Sequence, residues 1–494
     1  MTPDVAVDDG DPKVSSESEL DATEPTGTSV LRTGLAGGIY AALLVLMVRI
    51  AAAPLSNTDT FFHLRFGSEF LHHWSLRHPG SVSSFATASW LPTQWLPEEV
   101  MARVDETFGL AGVSWLFGVQ LVALLSALYL VARRWVEPLV AVLLVGLALA
   151  AASEGLSMRP QMLSFLMIVV TAGAWLRTRD DGRMRWWLVP MTWVWAMTHG
   201  MWSVGIVIGA VAVTGLALDR PLPRPRLLRA ALVPVLSAVA AAFTPVGPAL
   251  YGAALGVGSR AQYFSEWNPP DYTNPACIVL GLLLALTVVL TVRRGSGTWL
   301  DLGLLLLAAG CAVSSWRTVP VAAMILVPLA AAQVGPREPE ARGGVPRVER
   351  LLVAAGAAVA LVALGFAVPN TSSNPPAQPA WVDPALSALP SGTKVVDDWE
   401  WGGYLMWRYP QLDLLMHGYG DTFTTAELQR NTDIELLAPG WDDELRATGC
   451  TLAVLRPSSA LSYALVHQEH WTVVHQSSTI VELRAPVGWA PASS

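Results

Sequence analysis

Apolar segments of roughly twenty residues recur along most of this chain, separated by short polar connections. A run of that length and composition matches the hydrocarbon thickness of a bilayer. In lipid every backbone amide needs a partner within its own segment, so each run is read as a helix. Hydrophobic residues make up 52% of the chain and charged residues only 14%, with a mean hydropathy of +0.43, which excludes an ordinary soluble protein. Spans are expected near 35–53, 110–132, 137–152, 161–177, 186–198, 202–218, 228–244, 276–292, 298–313, 318–334 and 350–368. The expected class is a polytopic α-helical membrane protein of about 11 spans.

Arginine sets the expected sidedness, because lysine is nearly absent. Arg133 and Arg134, then Arg177 to Arg185, Arg220 to Arg229, Arg293 and Arg294, and Arg337 to Arg350 fall on one side of the alternating connections. The opposite connections hold scattered single arginines such as Arg65, Arg159, Arg260 and Arg317. The positive-inside rule places the first group in the cytoplasm of a plasma membrane, with the N-terminus inside and the C-terminus outside. All nine histidines then fall on the outer side, either because more polar chain lies there or because they serve proton transfer or ligand contact. Residues 1–32 form an acidic tail rich in Ser, Thr and Pro that cannot bury a core and is expected to be disordered. It lacks a basic n-region, so the first span is expected to stay as a signal anchor. The transmembrane domain covers 33–368 and includes a large first outer loop, 55–109. A Pro-, Ser- and Asn-rich linker follows at 369–390, then a small α/β domain outside the membrane at 391–488. The three cysteines suggest no disulfide framework. The net charge of −8 reflects the clustered acids of the tail, and no nucleic-acid partner is expected.

Several polar residues collect on the outer side. Asp59 lies just beyond the first span, four residues before His63, so a helix starting near Asn57 places both on one face. Asp59 reads either as a general base or ion anchor, or as the N-cap of a helix from Thr60 to His73. Gln94, Trp95 and Glu98 offer a second carboxylate and a stacking platform, or a helix start with Trp at the headgroup level. Glu154 and Arg159 share one turn, where Arg159 either binds phosphate or pairs with Glu154. His199 closes a hairpin between two short spans, the kind of broken helix that lines cavities. Glu266, Trp267 and Arg317 complete the outer ring. Arg49, one turn below the end of the first span, is expected to reach a phosphate or the carboxylates of Asp59 or Glu154.

These segments resemble, in order along nearly the whole chain, a large bacterial family of multi-span proteins related to GT-C fold glycosyltransferases. Asp59-Thr60-Phe61-Phe62-His63-Leu64-Arg65-Phe66-Gly67 is similar to the family's D-T-x-W-H-L-R-x-G signature, and Gln94-Trp95-Leu96 resembles its W-L box. Arg159-Pro160-Gln161 resembles R-P-Q/H, and Trp195-Ala196-Met197-Thr198-His199-Gly200 resembles W-A-N-x-H-G. Thr244-Pro245-Val246-Gly247 with Glu266-Trp267 matches N-P-x-G…E-W. Asp398 to Leu405 resembles an (N/D)-x-x-W-G-G-Y-L turn. Phe62, Met197 and Thr244 depart from the pattern and weaken expected ligand contacts.

The resemblance implies transfer of a sugar from a polyprenyl-phosphate-linked donor to a cell-envelope glycan, lipid or protein on the outer face. It implies Asp59 as the catalytic base beside His63. Arg49, Arg65, Gln94, Trp95, Glu98, Glu154, Arg159, His199, Glu266, Trp267 and Arg317 are the expected substrate-binding residues, with the arginines on the lipid phosphate. No tandem Asp-x-Asp is present in the expected outer segments, so no metal or other cofactor is expected. Two other classes stay open: a non-catalytic scaffold of the same fold that binds lipid or a partner, and a transporter, for which no internal inverted repeat is visible.

Overall fold

The computed structural model describes residues 27–220, 222–295, 297–335, 344–371 and 378–489. The expected acidic tail up to residue 26, Arg337 and Arg342, and linker residues 372–377 lie outside the described residues. The helices of the first part are α1 (Gly27–Ala52), α2 (Thr58–His72), α3 (Trp95–Ala132), α4 (Pro138–Ala151), α5 (Gln161–Asp181), α6 (Leu188–Ala196) and α7 (Trp202–Asp219). They continue as α8 (Arg224–Ala241), α9 (Ala249–Gly256), α10 (Pro275–Arg294), α11 (Trp299–Ser314), α12 (Val319–Val334) and α13 (Arg347–Thr371). Each segment expected as a span is helical. Among the described residues, seven helices are long and apolar enough to cross a bilayer, and α4 and α11 are apolar but shorter. The nine residues of α6 reach only about half the bilayer thickness at about 1.5 Å per residue.

The bundle is organised around α12, whose residues Val319 to Gln333 are all buried against α4, α5, α10 and α11. Close approach depends on small residues, as is usual where lipid offers no hydrophobic drive between helices. A Cβ on Gly215 would lie 2.4 Å from the Leu300 backbone, where α7 meets α11. Outward faces of α1, α8, α10 and α13 expose large apolar side chains such as Leu46, Val239, Leu282 and Val359, a surface suited to lipid. At one end of the bundle arginines tie helix ends together: Arg133 of α3 to Glu349 of α13, and Arg179 of α5 to Asp301 of α11. The arginines that set the expected sidedness therefore also have structural partners.

Gly109 sits at φ 63 inside α3, in the left-handed region where a side chain is strained. The bend there separates the first part of α3 from the span that follows. That first part packs with α2.

The C-terminal domain holds α14 (Val382–Ser387), β1 (Thr393–Asp397), α15 (Trp399–Arg408), β2 (Leu412–Leu414), α16 (Thr425–Glu435), α17 (Trp441–Thr448), β3 (Leu452–Leu455), α18 (Ala460–His467), β4 (Thr472–Gln476) and β5 (Val481–Arg484). Its five-stranded sheet has the order β2-β1-β3-β5-β4, parallel across β2-β1-β3 and antiparallel beyond. The segment read as a W-G-G-Y-L turn is instead the helix α15. Two adjacent glycines signal a turn in isolation, but here tertiary packing requires them. A Cβ on Gly403 would lie 2.3 Å from the Thr58 carbonyl oxygen, and one on Gly402 would lie 2.7 Å from the His417 Cα. Thus α15 packs against the start of α2.

The first outer loop straps the same domain. Ser83 Oγ donates to the Leu414 carbonyl at 2.7 Å, and Thr87 Oγ1 donates to Glu427 at 2.6 Å. Phe85 enters the domain's core beside Val396, Met416 and Trp441.

Candidate active site

Helix α2 starts at Thr58 because the Asn57 side chain accepts from the Asp59 amide at 2.9 Å. Asn57 is therefore the N-cap, which corrects the alternative reading of Asp59 in that role. Asp59 falls in the first turn, where the helix dipole favours a carboxylate. Its Oδ2 accepts from Arg159 Nη1 at 2.7 Å. Thr60 Oγ1 donates to the Met158 carbonyl at 2.9 Å, which fixes the turn carrying Arg159 onto α2.

From Arg159 the charges run on in a chain. Its Nη1 lies 3.8 Å from Glu266 Oε2, and Arg317 pairs with the other oxygen of Glu266. The Arg317 guanidinium sits 5.3 Å from the Trp267 ring centroid. Arg317 Nη2 also reaches His199 Nε2 at 3.3 Å. His199 Nδ1 lies 3.2 Å from Ser164 Oγ and accepts from the Met201 amide at 3.3 Å, and Trp195 Nε1 donates to Ser164 Oγ at 2.8 Å. Burial, with Arg317 nearby, holds His199 well below the usual imidazole range and therefore neutral. The ring residues Asp59, Arg159, Glu266 and Arg317 are all partly exposed.

Behind Asp59 lies a drier pair. His63 Nδ1 is 2.8 Å from Glu98 Oε1, and both residues are buried. Gly67 permits this approach of α2 to α3, since a Cβ there would lie 2.0 Å from the Glu98 carbonyl oxygen. Burial lowers His63 to about 3 and raises Glu98 to about 8. At neutral pH both groups are uncharged, and the Glu98 carboxyl donates its proton to Nδ1. Glu98 Oε2 has no partner.

Asp59, Arg159, His199, Glu266, Trp267 and Arg317 thus come together, with His63 and Glu98 directly behind. Five expected contact residues lie elsewhere. Arg49 is exposed on α1 and forms no ion pair among the described residues, and Asp59 is held by Arg159. Glu154 is exposed and does not pair with Arg159. Arg65 bonds Glu69 and the Met406 carbonyl, joining α2 to α15 rather than facing the ring. Gln94 and Trp95 start α3, where Leu96 meets the Met197 carbonyl of the His199 hairpin.

Sequence reasoning missed Asp421 of the C-terminal domain. Asp421 lies within electrostatic range of Arg260, Arg317 and Glu266, and Arg260 Nη1 reaches the Gly420 carbonyl at 3.4 Å. A cavity of about 580 Å³ opens between the domain and the start of α2, lined among others by Asn57, Asp59, Trp401, Arg456 and Thr479. The available signals were the glycines beside Tyr419 and the W-G-G-Y-L segment, which mark close approach of two backbones.

No protein-family model matches this chain, and no curated protein matches it in sequence. Solved structures are similar in fold. An archaeal oligosaccharyltransferase, AglB from Archaeoglobus fulgidus, in complex with an inhibitory peptide and a dolichol-phosphate, aligns over 91% of this chain and 75% of its own, with TM-score 0.54 and 12% identity. ArnT from Cupriavidus metallidurans in the apo state aligns over 95% of this chain and 99% of its own, with TM-score 0.51 and 16% identity. The same oligosaccharyltransferase tethered to an acceptor peptide aligns over 84% and 68%, with TM-score 0.52 and 13% identity. The chain is a multi-pass membrane protein with the GT-C fold and a small mixed-sheet C-terminal domain.

Proposed function

We propose that this protein is an inverting glycosyltransferase that moves a sugar from a polyprenyl-phosphate donor to an acceptor hydroxyl on the outer face of the plasma membrane. The observation that carries this reading is the position of Asp59, which belongs both to the arginine-bearing ring and to the wall of the cavity. Supporting it, the similar structures include one titled as a complex with dolichol-phosphate.

In the proposed step the acceptor oxygen attacks the anomeric carbon of the donor sugar. Asp59 takes the hydroxyl proton, the bond from that carbon to the phosphate oxygen breaks, and the lipid phosphate leaves with the electron pair. Arg159 and Arg317 receive the developing phosphate charge, exchanging their contacts with Asp59 and Glu266 for the leaving group. His199, held neutral, steadies Arg317 without adding charge.

The test is a comparison of Asp59→Asn and His63→Ala with the wild type in cells. A transferase loses its glycan product while protein level and thermal unfolding persist. Unchanged envelope glycans in both variants would favour a lipid- or partner-binding scaffold, a reading that the mutual neutralisation of the ring charges also suits.

A further inference from the structure

The cavity beside Asp59 has a far wall made wholly from the C-terminal domain. Asp398 caps α15, accepting from the Glu400 amide at 3.0 Å, and its other oxygen accepts from Arg456 Nε at 2.7 Å. Arg456 Nη1 also donates to Glu400 Oε1 at 2.9 Å. One buried carboxylate therefore fixes the loop after β3 against the first turn of α15. Trp401 follows on that turn, half-buried and lining the cavity. Ser458 and Thr479 rim the opening and are exposed. Thr58 Oγ1, on the near wall, is buried without a partner.

This inventory has a definite chemistry. The cavity volume lies within the roughly 300–1,000 Å³ usual for ligand sites. It offers one aromatic face, several hydroxyls, and an arginine outnumbered by its two carboxylate partners, so the wall carries no excess positive charge. Arg456 is neutralised by Asp398 and Glu400, and Asp59 by Arg159. An anionic ligand finds no free cation among these groups. A neutral molecule with apolar ring faces and many hydroxyl edges meets every group present.

We infer that this cavity is an acceptor subsite for a neutral oligosaccharide, stacked on Trp401 and hydrogen-bonded by Glu400, Arg456, Ser458 and Thr479, with its terminal hydroxyl presented to Asp59. This rests on the transferase reading and names its acceptor class. The C-terminal domain then selects the acceptor and the membrane domain supplies the donor.

The full-length protein in detergent is titrated with neutral trisaccharides (maltotriose, mannotriose and galactotriose) and with a trigalacturonate, using saturation-transfer NMR. At least one neutral probe is expected to bind and the uronate to be excluded. Trp401→Ala should weaken binding about tenfold, as for loss of one stacked aromatic face, and Trp401→Tyr should restore most of it. Thr479→Trp, an exposed substitution that fills the opening, should abolish binding without altering thermal unfolding. Failure of every neutral probe, preference for the uronate, or binding untouched by Thr479→Trp overturns the inference. The two claims fail separately: neutral-probe binding lost in Thr479→Trp with envelope glycans indifferent to Asp59→Asn leaves the subsite and removes the transferase.

Discussion

Replacing Glu98 by Gln tests the electrostatics behind Asp59. Glu98 is fully buried, its Oε1 lies 2.8 Å from His63 Nδ1, and burial raises it from 4.5 to about 8. In the unfolded chain Glu98 releases its proton near 4.5, whereas the folded protein keeps it until about 8. The native state therefore loses stability as pH rises across that window, at about 1.4 kcal/mol per pH unit, for an upper bound on the order of 5 kcal/mol. His63, lowered from 6.5 to about 3, acts in the opposite sense. It costs stability as pH falls below 6.5, when the unfolded chain takes up a proton that the folded protein refuses. The two slopes cancel between 4.5 and 6.5, which leaves a plateau with a decline on each side. Glu98→Gln keeps a donor to Nδ1 and removes the Glu98 slope throughout, leaving only the rise in stability that His63 gives up to pH 6.5. Tryptophan fluorescence followed through thermal unfolding in detergent, at a fixed scan rate, should show the wild type losing several degrees between about pH 5.5 and about pH 8.5. The variant should lose none over the same interval and gain slightly up to pH 6.5. An identical decline in both proteins would refute the assignment of the proton to this pair.

Two further substitutions probe other parts of the structure. Gly403→Ala drives a methyl group toward the Thr58 carbonyl, 2.3 Å from the added carbon, and overpacking of this kind costs about 1–3 kcal/mol. Faster limited proteolysis between the two domains is expected, and unchanged digestion would mean that α15 does not depend on this contact. Arg49→Ala should change thermal stability by less than about 0.5 kcal/mol, since Arg49 is exposed and forms no ion pair among the described residues. A larger drop in the melting temperature would show that Arg49 has a structural partner.

The membrane helices were legible because each span must satisfy its own backbone, so an apolar run translates directly into a helix. The strands of the C-terminal domain were legible as short runs with apolar residues set between turns. Long-range partners were not. Arg159 sits five residues from Glu154 in sequence, yet it bonds Asp59, a hundred residues away. Local proximity favoured the wrong carboxylate because nothing in the sequence shows that Thr60 fixes the turn preceding Arg159. The glycine pair of α15 misled in the same way. Its meaning lies in Thr58 and His417, which only the folded chain brings near. The signature from Asp59 to Gly67 now has a physical account, with one residue for the ring, one for the turn, one for the buried proton and one for docking.

Phe85 belongs by sequence to the membrane half, yet it completes the interior of the sheet domain. Cutting the chain at the linker to obtain that domain alone would leave a hole where an aromatic ring should be. The outer module is thus not a detachable accessory. Any change in its shape must be matched by the loop that plugs it, so the two halves are bound to vary in step.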